Sequence, residues 1–132
     1  MEMTAYGMSR KVDLGFDEAE AKVRGTLKEQ GFGILTEIDV QKALKEKIGV
    51  DFRRYKILGA CNPKSAHKAL TAEMEVGLLL PCNVIVYVDD DGATHVSAID
   101  PLSAMSVVGD NKELKSLAGE IIEKLKTAIE AV

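Results

Sequence analysis

Two Cys-Asn pairs, Cys61-Asn62 and Cys82-Asn83, and two histidines, His67 and His95, are the residues of this chain best suited to chemistry. A thiolate is a nucleophile and a metal ligand, and an imidazole exchanges protons near neutral pH. A carboxamide both donates and accepts hydrogen bonds. Cys61 precedes Asn62-Pro63, which reads as a helix start, because Asn caps well and Pro suits the first helical position. A thiol beside the positive end of a helix ionises more readily, and His67 follows one helical turn away as a candidate base. Those residues describe a thiol-based redox sensor or enzyme. Against this stands the plain role of cysteine as a small buried residue, and no third group is positioned to orient His67.

The same residues support a reading from a different class. Both Cys-Asn pairs fall at the ends of elements, where Cys61, Asn62, His67, Cys82 and Asn83 converge as a small-molecule pocket does. The plainer account gives Asn62 to its helix cap and Asn83 to the backbone at a strand end. A Cys61–Cys82 disulfide is a third option, but the 20 intervening residues fix no distance. Cys61, Cys82, His67 and His95 add up to a zinc set by type only. No two of them have the short spacing that makes such a set specific, so no metal is expected.

Other patterns carry less. Arg53-Arg54-Tyr55-Lys56 is basic, yet on a strand its charges point alternately to opposite sides. It reads as a solvated edge strand guarded by charge, not as a nucleic-acid surface. Asp89-Asp-Asp-Gly92 lacks the later ligands of a calcium loop and reads as a hairpin turn. Gly31-x-Gly33 has no third glycine and leads into a strand, so it is no dinucleotide fingerprint. Glu18/Glu20 and Glu73/Glu75 are carboxylate pairs without a cleft to raise a pKa. No phosphate-binding loop, nucleophile elbow or paired-histidine metal helix occurs.

Composition bounds the rest. At 132 residues, 46% hydrophobic and 29% charged, the chain has the make-up of a single globular domain. Its net charge of −4 argues against a general attraction to nucleic acid or anionic lipid. Two cysteines are too few for a secreted disulfide scaffold. Residues 1–9 lack the pattern of a signal peptide, and the apolar run Val76–Val88 is interrupted by Gly77, Pro81 and Asn83. A cytoplasmic protein with no membrane span is the expectation.

The elements that must position these residues are legible from periodicity and caps. Met8–Leu14 alternates as a strand, and Asp17 with Glu20 forms a capping box for a helix that Gly31 ends. Phe32–Ile38 is a second strand, with Phe32, Ile34 and Ile38 on one face. Asp39 caps a short helix whose inward residues are Val40, Ala43, Leu44 and Ile48, closed by Gly49. Phe52–Cys61 is extended, and the helix from Pro63 carries Ala66, Ala69 and Leu70 inward. Cys82–Val88 and Thr94–Ile99 form a hairpin about Asp91-Gly92. Asp110 and Glu113 then box a long helix with the stripe Leu114, Leu117, Ile121, Leu125, Ala128 and Val132.

The order is β-α-β-(short α)-β-α-β-β-α. It predicts an α+β domain over residues 8–132, with a mostly antiparallel five-stranded sheet and helices packed on one face. Residues 1–7 read as an N-terminal extension. A two-residue turn at Asp91-Gly92 would place Val84, Val86 and Val88 with Ser97 and Ile99, and Ile85 and Tyr87 with Val96 and Ala98. Both faces of such a hairpin are apolar, which calls for a second cover and hence a homodimer.

Ile57-Leu-Gly-Ala-Cys-Asn-Pro63 and Glu75-Val-Gly-Leu-Leu-Leu-Pro-Cys-Asn83, together with Gly31–Asp39, Gly49–Phe52 and Ala98–Pro101, make the chain specific. It resembles the bacterial and archaeal family called domain of unknown function 302, over nearly all residues from about 10 onward. The resemblance implies a fold like that of the TATA-box-binding protein, β-α-β4-α, and a small homodimer. It implies no activity, cofactor or catalytic residue, and the fold carries no DNA binding with it. The expectation is therefore a non-catalytic homodimer that binds a small ligand or protein partner near Cys61-Asn62 and Cys82-Asn83. The alternative is the thiol chemistry of Cys61 with His67.

Overall fold

Alternation along the strand Cys82–Val88 divides the molecule: Cys82, Val84 and Val86 are buried, while Asn83 is exposed and Ile85 and Tyr87 are half-buried. The computed structural model describes residues 1–132. Its strands are β1 (Glu2–Met3), β2 (Gly7–Val12), β3 (Gly33–Asp39), β4 (Tyr55–Cys61), β5 (Cys82–Val88) and β6 (Thr94–Ile99). They form one fully antiparallel sheet in the order β1-β2-β6-β5-β4-β3. The α+β class stands, but the sheet has six strands instead of five. Glu2 pairs with Ser9 and Met3 with Met8, so part of the N-terminal extension joins the sheet.

The helices are α1 (Phe16–Glu29), α2 (Val40–Ile48), α3 (Pro63–Ala72), α4 (Pro101–Met105) and α5 (Lys112–Glu130). Single 3₁₀ segments occupy Met74–Leu79 and Ser106–Val108. Helices α1 and α5 supply Val23, Leu27, Leu125 and Ile129 to a core completed by Met8, Leu58, Val84, Val86 and Val96 from the sheet. All nine are fully buried. At about 25 cal/mol per Å² of apolar surface, this layer is the main source of stability. The final helix obeys its sequence stripe: Leu114, Ile121, Leu125, Ala128 and Val132 are buried, and Leu117 is half-buried.

Several local expectations are corrected. The capping residue of α1 is Gly15, not Asp17, because Asp17 is drawn to Arg54 at 2.9 Å. Arg54 also lies over the ring of Phe16, 4.1 Å from its centroid, which fixes the first helical residue in place. Asn111, not Asp110, caps α5 by accepting from the Leu114 N–H at 3.2 Å. Asp39, Gly49 and Asn62 cap as their types predict. A bulge between Ile34 and Thr36 shifts the phase of β3, so Phe32 is buried while Ile38 is 49% exposed. Helix α2 buries none of its residues, and Ile48 is 66% exposed. Arg53 and Arg54 precede β4, which is an interior strand and no edge; each arginine is held by an aspartate, Asp90 and Asp17.

The hairpin departs most. The last pair is Val88 with Thr94, leaving the five residues 89–93 as the corner. The Asp89 carboxylate accepts from the N–H groups of Asp91 (2.9 Å) and Ala93 (3.0 Å), and Gly92 takes φ +80°. An odd-length corner pairs Val84 with Ala98 and Val86 with Val96, placing all four in the core. The opposite face holds Ile85, Tyr87, His95, Ser97 and Ile99. The inward side is apolar apart from buried Thr94, while the opposite side mixes polar and apolar groups.

Candidate functional site

The two Cys-Asn pairs come together only in part, because alternation splits the second. Asn62 follows β4 directly and caps α3, its Oδ1 accepting from the Ser65 N–H at 3.3 Å. Cys82 opens β5 after a cis Leu80–Pro81 bond and pairs with Ala60, one residue from Cys61. Between this end of the sheet, α3, the 3₁₀ segment and α5 lies a cavity of ≈280 Å³. Eighteen residues line it and 14 are hydrophobic, among them Phe32, Ala69, Leu80, Met105, Leu114 and Leu117. Cys61, Asn62, Ser65 and Cys82 are also in its wall. No charged side chain is.

Asn83 points to the other face of the sheet, and His67 is exposed on the outer side of α3. Neither reaches this cavity. His67 is thus not presented to Cys61 across the cavity, and the sequence could not reveal this because one helical turn fixes spacing but not which side is buried. His95 lies on the far face, its Nε2 2.7 Å from Asp89 Oδ2. That contact, with the two backbone N–H groups of the corner, holds the Asp89 carboxyl below the usual range. Cys61, Cys82, His67 and His95 therefore do not converge, and no group of three or more His, Cys, Asp or Glu is placed to hold a metal.

The two thiols are free. Burial pushes the Cys82 thiol up to about 11, with the neighbouring Cys61 adding to the shift. A thiol so desolvated remains protonated at neutral pH and behaves as an apolar wall residue.

Sequence reasoning missed Ser65, which is 7% exposed and lines the cavity. It also missed the outer groove of ≈400 Å³ on the opposite face of the sheet, between Tyr6, Ser9, Tyr55, Asn83, Ile85, Tyr87 and Ser97. There Tyr55 and Tyr87 stack at 5.5 Å, and Tyr87 and His95 at 4.9 Å with ring planes 5° apart. Burial raises the Tyr55 phenol above its ordinary value, and the nearby Tyr87 and Tyr6 reinforce the rise. The β-strand pairing that joins these rings was not readable before the register was known.

The family model described as "Domain of unknown function DUF302" matches residues 8–132. This chain belongs to that family. A crystal structure of an uncharacterized conserved DUF302 protein from Bacillus stearothermophilus is similar throughout, at 30% identity and a TM-score of 0.89. The likeness covers 97% of this chain and 98% of that one. No curated protein matches the chain. Membership of the DUF302 family brings no assigned reaction, and the function of the chain is unknown.

Proposed function

We propose that this DUF302 protein is a non-catalytic binding protein for a small, uncharged, largely apolar molecule held in the cavity beside Cys61, Asn62 and Cys82. The observation that carries this reading is the cavity wall, mostly hydrophobic and free of charged groups. An apolar cavity of this kind gains little from water and favours hydrocarbon surface. Its size suits a ligand of about ten non-hydrogen atoms. Leu35, 67% exposed at the wall beside the β3 bulge, marks an opening toward solvent. Thiol chemistry of Cys61 is the weaker alternative, since His67, its candidate base, is exposed on the outer side of α3 and does not line the cavity.

The test is a thermal-shift screen of neutral monocyclic and short aliphatic compounds. A ligand at ten times its Kd should add about 1.4 kcal/mol and raise the Tm by several degrees. Ala66→Phe, which fills the cavity from α3, should remove that rise. If no compound of this class shifts the wild-type Tm at millimolar concentration, the reading fails.

The same reading includes a cytoplasmic homodimer with a fold of the TATA-binding-protein type. Elements β2, α1, β3–β6 and α5 follow the β-α-β4-α order, and no helix is long and apolar enough to cross a membrane. Half-buried Ile57, Ile85 and Ile99, with Tyr55 and Tyr87, supply a sheet face that a second copy would cover. Light scattering should give twice the chain mass for the wild type and the single mass for Ile85→Lys. A wild-type monomer at micromolar concentration would remove the dimer from this proposal.

A further inference from the structure

We infer that the cavity's ligand carries an oxygen acceptor, a neutral carbonyl or ether-like group, and that Ser65 is the residue that reads it. This rests on the cavity reading above and adds the chemical class of the ligand. Ser65 is the third residue of α3, and its backbone N–H is already committed to Asn62 Oδ1 at 3.3 Å. Its hydroxyl has no hydrogen-bond partner within the chain, although the residue is more than nine-tenths buried and its side of the helix lines the cavity. A ligand oxygen that accepts from this hydroxyl inside the cavity gains a hydrogen bond for which the chain itself offers no competing partner. Asn62 offers a second donor, because its Oδ1 is occupied by the cap while its Nδ2 makes no bond within the chain.

Position and charge narrow the ligand further. The hydroxyl and the amide sit in the first turn of a ten-residue helix, where the dipole favours electron-rich atoms. No Lys, Arg or His lines the cavity to compensate a full negative charge, so a neutral acceptor is favoured over a carboxylate. The hydrocarbon part of the ligand then extends toward Met105, Leu114 and Leu117, away from the polar end.

A matched pair of probes separates this from simple apolar filling. Acetophenone and α-methylstyrene share size and shape, and differ in having C=O or C=CH₂ at one position. Their dissociation constants are measured by NMR titration on wild type, Ser65→Ala and Ser65→Thr. Ser65→Ala should weaken acetophenone by about 3- to 10-fold and leave α-methylstyrene unchanged, the range a single neutral hydrogen bond spans. Ser65→Thr, which keeps the hydroxyl, should preserve the wild-type ratio of the two constants. Retained α-methylstyrene binding shows that the alanine variant is folded. If Ser65→Ala leaves the ratio unchanged, Ser65 does not read an oxygen, while the cavity reading survives. If neither probe binds the wild type, the cavity reading falls and takes this assignment with it.

Discussion

The two faces of the sheet are made from the same strands and follow different rules. On the helix-covered face, Met8, Leu58, Val84, Val86, Val96 and Ala98 are sealed by α1 and α5. On the other, Ser9, Tyr55, Ile57, Ile85, Tyr87, Ser97 and Ile99 mix hydroxyls and rings with aliphatic groups at intermediate burial. The first face is specified by volume and dryness. The second tolerates polar groups because each can reach water or a neighbour, as the Ser97 hydroxyl donating to Ser9 Oγ at 2.8 Å illustrates. Stability is therefore concentrated on one side of the sheet, and freedom to evolve a contact surface on the other.

The sharpest way to break this contrast is a matched pair of truncations. Leu125→Ala on the sealed face should cost about 2–5 kcal/mol, since the site is fully buried and a cavity would remain. Ile85→Ala on the open face should cost about 1 kcal/mol, measured by urea denaturation at a protein concentration where both variants have the same oligomeric state. Equal losses would mean that the faces do not differ in the way described.

Cys82 reports dryness on the sealed face. Its thiol, raised from 9.0 to about 11, has about 100-fold less thiolate at pH 8 than an unperturbed thiol. Alkylation of Cys82 at pH 8 should be slower than in the unfolded chain by at least that factor, with mass spectrometry following the site. A similar rate in both states would show that water reaches it. The sign is that of a raised pKa: the associated stability is complete below about pH 9 and is lost as pH rises toward 11.

The smallest effect is expected where the sealed face is closed by charge. Lys56 Nζ lies 2.9 Å from Glu20 and 2.8 Å from Glu37, and Arg24 meets the same two carboxylates at 3.0 and 2.9 Å. The hydrogen bond from Lys56 lowers the Glu37 carboxyl from 4.5, so its contribution is complete above pH 4.5 and is lost as acid titrates it below that. The bonds to Glu37 and Glu20 raise Lys56 from 10.5; that contribution is present below pH 10.5 and disappears above it. Lys56→Met should cost under about 1 kcal/mol at pH 7 and flatten the stability profile at both ends. An unchanged profile would assign this cluster of charges no role.

How much could be read beforehand follows the same division. The long helix was legible because its stripe, Leu114 to Val132, repeats with the helical period and meets one dry surface. The caps at Asp39 and Asn62 were legible because a side chain and its backbone partner are three residues apart. Asp17 misled because a cap and an ion pair draw on the same residue type, and Arg54 is 37 positions away. The membership of Cys61, Asn62 and Cys82 in one cavity followed from their places at element ends. Asn83 and His67 were misassigned because sidedness depends on register and helix rotation, which only packing fixes. Ser65 gave no signal at all: a serine in a first helical turn is ordinary until its surroundings are known.

The corner at residues 89–93 has a consequence for how this family can vary in length. If one residue were added or deleted there and the corner still closed over five residues, β6 would slip by one position against β5 and turn over, driving Ser97 and Ile99 inward and Val96 and Ala98 out. A change of length at this tip is therefore harmless to the core when the exposed corner absorbs it, and disruptive when it is passed into the strand as a one-residue slip.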